Sequence, residues 1–310
     1  MKRASILVIK LGALGDFIQA TGPFAAIRRH HADARIVLLT TEPFAALARL
    51  SGYFDEVWID SRPAWWQPRS FFGLRRRLRG GGFTRVYDLQ TSDRSGWYAR
   101  LLGRRVEWSG IAPGASHPHA NPARDAMHTI DRQREQLAMA GIKDVPPPDV
   151  SWLRPSIAHL TLPPRYALLV PGGAAHRPEK RWPAAHYASL AKALAAHGTT
   201  PVLIGGAAEA DVTGAIRAAV PEARDLTNRT SLAEIASLAR GAVCAVGNDT
   251  GPMHIVAAAG CPSVVLFSNA SDPALCAQRV GAGGPPTVIL RRPSLDALTV
   301  EEVLAKLPAA

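Results

Sequence analysis

The sequence predicts two α/β domains in tandem, residues 1–150 and 151–310, each built on a doubly wound parallel sheet. Three observations predict it. Short apolar runs alternate with helical stretches in both halves, as βαβ crossovers require. The chain has 310 residues, more than one hydrophobic core usually serves. Residues 144–165 carry Pro146, Pro147, Pro148, Pro155, Pro163 and Pro164, which disfavour helix, so this stretch reads as the interdomain linker.

In chain order, Ile6 to Lys10 is the first apolar run, followed by a glycine turn, Gly12 to Gly15, and a helix through Arg29. Arg35 to Leu39, Glu56 to Ile59 and Arg85 to Leu89 read as further strands, and Trp97 to Leu102 as helix. After the prolines, Tyr166 to Val170 is a strand, Pro183 to His197 a helix and Pro201 to Ile204 a strand ending at Gly205-Gly206. Leu232 to Arg240 is helical, Ala242 to Val246 a strand, Met253 to Ala259 a helix and Ser263 to Phe267 a strand. Such domains are expected to hold ligands in a cleft at the carboxyl edges of their sheets. Packing back on the N-terminal domain is open to the last helix.

Composition narrows the class. Apolar residues make up 47% and charged residues 20%, which excludes a disordered or fibrous chain. The net charge is +11, and lysine supplies only Lys2, Lys10, Lys143, Lys180, Lys192 and Lys306 of the 36 basic residues. Arginine pairs bidentately with phosphate and carboxylate, so an anionic partner is one reading. Codon usage in a GC-rich genome is the other. Cys244, Cys261 and Cys276 form no CxxC pair, which points to a reducing cytoplasm. The opening apolar run is cut by Lys10 and followed by Asp16, unlike a signal peptide, and no run is long enough to span a bilayer. A soluble protein is expected.

Four turns could carry chemistry. The first is LGALGDFIQATGP, where Gly12 and Gly15 do not give the G-x-G-x-x-G of a dinucleotide site. A carboxylate at this helix start would also repel a pyrophosphate. Asp16 therefore reads either as a helix N-cap or as a general base kept ionised by the helix N-terminus. The second is NDTGPMHIVAAAG. Asp249, Thr250 and Gly251 fall at a helix N-terminus suited to phosphate, Pro252 fits the first turn, and His254 follows one turn along. The bland alternative is an ordinary cap with a surface histidine.

The third is PGGAAHRPEKRWP, whose glycines let a ligand approach while Lys180 and Arg181 neutralise a leaving pyrophosphate. The fourth is Gly205-Gly206 with Glu209, a carboxylate able to accept from ribose hydroxyls or simply to favour a helix dipole.

Taken in order, Gly15-Asp16, Lys180-Arg181-Trp182-Pro183, Gly205-Gly206 with Glu209, and Asp249-Thr250-Gly251-Pro252-Met253-His254 resemble the ADP-heptose:lipopolysaccharide heptosyltransferases of glycosyltransferase family 9. The resemblance runs from Ile6 to about Ala270. It implies the GT-B fold, two Rossmann-like domains facing each other across a cleft, and inverting, metal-independent heptose transfer from ADP-heptose to the lipopolysaccharide inner core. It makes Asp16 the base and puts Lys180 on the diphosphate. Asp249, Thr250 and Gly251 lie around the sugar-phosphate, with His254 in support. Glu209 corresponds to the ribose-binding acid, and Thr230 and Ser231 lie where the backbone meets adenine. No DxD motif is present to hold a metal on the diphosphate, and no cofactor is implied beyond the donor substrate.

One feature remains outside these motifs. In residues 68–85, Arg69, Arg75, Arg76, Arg77, Arg79 and Arg85 surround Phe71, Phe72 and Leu74. A short basic amphipathic segment suits an anionic membrane surface or a phosphorylated acceptor, or else is a solvated helix face. Arg94 after a strand, and His128 and Arg132 on one helical face, are further acceptor-binding candidates. The partners implied are ADP-heptose, an anionic lipid A/Kdo-type glycolipid, and the inner face of the cytoplasmic membrane bound peripherally. No nucleic-acid module appears. The alternatives are a GT-B transferase with another nucleotide sugar and a different anionic acceptor, an oxidoreductase disfavoured by the missing glycine fingerprint, and a basic binding protein.

Overall fold

The structure, a computed structural model, describes residues 3–62, 66–103, 105–174, 176–281 and 283–308. The chain divides into two compact units, Met1–Pro146 and Pro147–Ala310.

The first unit runs β1 (Ser5–Ile9), α1 (Leu14–Gln19), α2 (Thr21–His30), β2 (Arg35–Thr40), α3 (Glu42–Leu50), β3 (Glu56–Ile59), α4 (Pro68–Gly80), β4 (Arg85–Asp88), α5 (Asp93–Leu102), β5 (Glu107–Gly110), β6 (His117–Pro118) and α6 (Thr129–Met139). Its sheet is parallel, in the order β3-β2-β1-β4-β5-β6. Every residue of β1 is buried, the continuous apolar run expected of a strand covered on both faces. Leu7, Ile9, Val37, Leu39 and Val86 lead one of its cores. The single helix read from the first glycine turn is two helices meeting at Ala20. Pro23 has no N–H and its ring would crowd the Gln19 carbonyl, so the chain restarts at Thr21.

The second unit runs β7 (Tyr166–Val170), α7 (Ala184–Ala196), β8 (Thr200–Leu203), α8 (Ala210–Ala219), β9 (Arg224–Asp225), α9 (Leu232–Gly241), β10 (Cys244–Asn248), α10 (Gly251–Ala258), β11 (Ser263–Phe267), α11 (Pro273–Cys276), β12 (Val288–Arg291) and α12 (Val300–Leu304). The sheet order, β12-β11-β10-β7-β8-β9, is the first unit's order repeated. In both, the first and fourth strands are neighbours and the connections leave in opposite directions from them. That is the topological switch point, where doubly wound folds bind ligands beyond the strand ends. The ends in question are Lys10 and Leu89 in one unit, and Pro171 and Asp249 in the other.

Two further expectations change. The strand read as Ala242 to Val246 is Cys244–Asn248, because Ala242 still closes α9 through its N–H to the Leu238 carbonyl. The proline-rich stretch is also not a free linker throughout. Val150, Leu153 and Leu160 are buried, and Arg240 on α9 donates to the carbonyls of Leu153 at 2.5 Å and Val150 at 2.6 Å. The closing helix α12 packs on α7, with Val303 fully buried in the second unit's core. Among the described residues, no helix is long and apolar enough to cross a membrane.

Candidate functional site

At the switch point of the second unit, β7 ends in Pro171-Gly172-Gly173 and β10 ends in Asn248. Beside them opens a pocket of about 350 Å³ lined by Gly172, Gly173, Gly205, Gly206, Glu209, Thr230, Thr250 and Pro252, with Ile204 and Ile235 on its apolar side. Glu209 is seated against the glycine turns: a Cβ on Gly172 would stand 2.9 Å from its Cγ, and one on Gly205 2.8 Å from its Cβ. Its Oε2 accepts from the Gly206 N–H at 2.9 Å, and among the described residues Oε1 has no protein donor. The carboxylate is thus oriented and half-satisfied at the pocket wall.

Asn248 is the fixing point, and sequence reasoning missed it. Fully buried, it accepts from the Trp182 N–H at 3.0 Å and the Tyr187 hydroxyl at 3.1 Å. Its amide donates to the carbonyls of Pro171 at 2.8 Å and Gly172 at 3.0 Å. One side chain therefore locks the glycine turn to the start of α7. Arg181 adds to this by donating to the Gly173 carbonyl at 2.7 Å. It braces the turn, where the sequence placed it beside Lys180 on a pyrophosphate.

Lys180 closes a one-turn 3₁₀ helix and its Nζ donates to Asp249 Oδ2 at 2.7 Å, both side chains being mostly buried. Asp249 also accepts from Ser271 Oγ at 2.8 Å and Gln278 Nε2 at 3.3 Å. Its oxygens are taken up by these three donors inside the protein. Thr250 is the N-cap of α10 with no capping bond from its hydroxyl, and with Pro252 it faces the pocket. Gly251 opens that helix, and His254 is buried one turn on, outside the pocket lining. Thr230 lines the pocket, whereas the Ser231 side chain is spent in a capping box with Glu234 at the head of α9.

In the first unit the turn after β1 is held from three directions. The Leu11 N–H donates to Gln90 Oε1 at 2.8 Å, and the Leu11 carbonyl accepts from Thr41 Oγ1 at 3.1 Å and Arg62 Nη2 at 2.9 Å. Gly12 has φ +128°, and a Cβ there would lie 2.8 Å from the Phe44 ring, so only glycine fits. Asp16 is then the third residue of α1, half-buried in its first turn; the N-cap is Ala13. The capping alternative is thereby removed.

Charges crowd this turn. Lys10 is buried and donates to the Leu89 carbonyl at 3.1 Å. Burial holds its ammonium pKa down, against the pull of Asp16. Asp88, fully buried, is pushed up to about 6 by burial despite N–H donors from Thr91 and Gln90. Arg132 on α6, a helix that packs against α1, is lowered by burial and by Arg124, with Asp16 opposing.

The acceptor candidates separate into two groups. Arg69 and Arg76 are exposed on α4 and Arg75 half-buried, and among the described residues no hydrogen bond or ion pair engages them. Trp66 and Phe72, 67% and 58% exposed, belong to the same stretch. Three neighbours are structural: Arg77 lies 4.5 Å over Trp58, Arg79 donates to the Leu101 carbonyl, and Arg85 pairs with Glu107. Arg94 donates to the Tyr98 hydroxyl at 3.2 Å, which in turn donates to Asp60 at 2.6 Å. His128 is the N-cap of α6, accepting the Ile130 N–H at 3.2 Å, rather than a residue of the helix face. Arg132 is the candidate whose charge interacts with Asp16 among the described residues.

Two doubly wound units of identical strand order, one with a glycine-walled pocket at its switch point, make the two-domain GT-B fold. The chain belongs to glycosyltransferase family 9, the heptosyltransferase family, whose model matches residues 71–277. It is therefore a glycosyltransferase. It is 27% identical over 286 residues to lipopolysaccharide heptosyltransferase 1 of Pseudomonas aeruginosa, covering 84% of this chain and 78% of that protein. A 104-residue stretch is 38% identical to lipooligosaccharide heptosyltransferase 2 of Haemophilus influenzae, which covers 32% of this chain and 30% of that protein. The Escherichia coli heptosyltransferase WaaC, solved with ADP, shares the fold at TM-score 0.75 and 20% identity, covering 97% of this chain and 98% of that one.

Proposed function

We propose that this enzyme transfers heptose from ADP-heptose to an anionic lipopolysaccharide inner-core acceptor, with inversion and without a metal ion. The observation that carries the reading is the second unit's pocket, where two glycine turns, Glu209, Thr230 and the head of α10 meet beside Lys180. Its fold relative WaaC is known with ADP and with an ADP-2-deoxy-2-fluoro heptose, which supports an ADP-sugar there.

In this reading residues 1–150 bind the acceptor and residues 151–310 the nucleotide sugar. Glu209 takes the ribose hydroxyls, and the backbone at Thr230-Ser231 borders adenine. Lys180, the Thr250 hydroxyl and the Gly251 N–H stabilise the diphosphate as it leaves. Asp249 holds Lys180 and His254 supports the helix behind it. Asp16 removes the proton from the acceptor hydroxyl as its oxygen bonds to the sugar's anomeric carbon. On the opposite side of that carbon the bond to phosphate breaks, and ADP departs. Arg132 meets the acceptor beside Asp16, with Arg94 and His128 behind it. Arg69, Arg75 and Arg76, with Trp66 and Phe72, offer a basic and aromatic face to an anionic membrane surface.

A ligand screen by melting temperature tests the donor, because a ligand that binds only the native state raises it. ADP is expected to stabilise the protein more than UDP, GDP or NAD. A preference for UDP or GDP would favour the other reading, a GT-B transferase with a different nucleotide sugar and acceptor.

A further inference from the structure

Arg124 carries no sequence signal, yet it is firmly held beside Arg132, whose guanidinium interacts electrostatically with Asp16. It begins a 3₁₀ turn, Arg124–Ala126, just before α6. Its Nη1 donates to Asp125 Oδ1 at 2.7 Å and its Nε to His119 Nδ1 at 3.5 Å. Its Nη2 is buried and, among the described residues, has no hydrogen-bond partner.

The histidine behind it is fully buried, with Nε2 3.5 Å from Glu135 Oε2. Glu135 is itself held by two bonds from Asn121 Nδ2, at 2.8 and 2.9 Å. Burial lowers the His119 pKa, which keeps the ring neutral. A neutral ring with its proton on Nε2, the nitrogen nearer Glu135, keeps a lone pair on Nδ1 for Arg124. Asn121, Glu135 and His119 thus form a support whose end product is the orientation of one guanidinium.

The second guanidinium is that of Arg132, whose Nη1 stands 3.9 Å from the same Asp125 carboxylate. Asp125 is 82% exposed in its side chain, against 13% for Arg124 and 27% for Arg132. One solvated carboxylate is therefore shared by two largely buried cations. Like charges held together in a poorly solvated place oppose each other unless an anion joins them. Arginine's planar fork is suited to a phosphate or carboxylate, and Nη2 of Arg124 still has both protons to give.

We propose that Arg124 and Arg132 form a two-guanidinium site for a phosphate or carboxylate group of the acceptor, which places the acceptor hydroxyl near Asp16. The inference rests on the reading of the first unit as acceptor-binding and adds a residue and a chemistry to it.

The test uses the full chain. Arg124→Ala is expected to raise the acceptor KM about 10–100-fold, the loss of a charge-assisted pair, and to leave the ADP-heptose KM unchanged. Arg124→Lys, which keeps the charge without the fork, falls between. If the group is a phosphate, dephosphorylated acceptor erases the difference between wild type and Arg124→Ala. If it is a carboxylate, the difference survives dephosphorylation and disappears with carboxyl-reduced acceptor. An unchanged acceptor KM overturns the proposal.

Melting shifts with inorganic phosphate and with acetate separate this from the proposed function. Should the protein transfer no heptose, a shift that Arg124→Ala abolishes still supports the anion site. Equal shifts in the two proteins, or none in either, overturn it. If Arg124→Ala does not fold, Arg124→Gln replaces it, keeping an N–H donor towards His119.

Discussion

Lys180 and Asp249, 69 positions apart in the chain, meet at 2.7 Å beside the glycine-walled pocket. The carboxylate is also bonded by Ser271 and Gln278, so the ammonium is held by a partner that cannot itself turn to the ligand. Lys180→Ala is expected to lower kcat/KM by ~10²–10³-fold, the usual loss when one preorganised donor to a leaving group is removed. Asp249→Asn should give a smaller loss in the same direction, because the lysine remains but is no longer fixed. Steady-state kinetics in ADP-heptose checks both, and unchanged constants for Lys180→Ala would reject its diphosphate role.

Asp16 makes a different prediction because it lies in the other unit. Asp16→Ala should abolish measurable transfer, a base being worth ~10²–10⁴-fold, with ADP still raising the melting temperature as in wild type. Retained turnover would remove the base assignment.

Asn248 is expected to be needed for both stability and donor binding. Asn248→Ala orphans the Trp182 N–H and the Pro171 and Gly172 carbonyls in a buried place, a cost of roughly 1–3 kcal/mol per unsatisfied group. Asn248→Asp should be at least as damaging despite its shape, since a carboxylate oxygen would face the two carbonyls that the amide now serves. Chemical denaturation and ADP titration read the two effects. An Asp variant as stable as wild type would contradict the bonding given to Asn248.

Asp88 gives a pH dependence of definite sign. Its folded pKa, about 6, lies above the ordinary 3.8. The native state therefore binds the proton more readily than the unfolded chain, and this contribution is present at pH 4 and lost as pH rises through about 6. Asp88→Asn keeps the Oδ1 acceptor without the charge. Its stability relative to wild type should improve between pH 4 and pH 7 by roughly 2–3 kcal/mol. A difference that does not change with pH would contradict the burial account.

Transfer is expected to proceed in EDTA at the rate seen without it, since in the proposed mechanism Lys180 and the head of α10 supply the charge for the leaving diphosphate. A strict requirement for a divalent ion would count against that assignment.

The strand ends and glycine turns were readable because they depend on local pattern. Gly172, Gly173, Gly205 and Gly206 follow short apolar runs, and those runs became the strands β7 and β8 whose carboxyl ends carry the pocket. What could not be read was pairing across the chain. Asp249 looked like a ligand-facing acid at a helix start, and only the fold brings Lys180 and Ser271 to it. Asn248 escaped because the strand seemed to end at Val246; two residues further on, the asparagine becomes the buried last residue of the strand. His128 is placed by helical spacing and Arg94 by its position after a strand, but a cap and a tyrosine hydroxyl engage them. Arg124 had no signal, since its meaning comes from His119 and Arg132 around it.

The most direct measurement is a transfer assay with ADP-heptose and an inner-core acceptor, with the anomeric configuration of the product determined by NMR. The account predicts heptose joined to the acceptor in the configuration opposite to the donor's, and no such product from Asp16→Ala. Retention of configuration would contradict it, as would transfer from a UDP- or GDP-sugar but not from ADP-heptose.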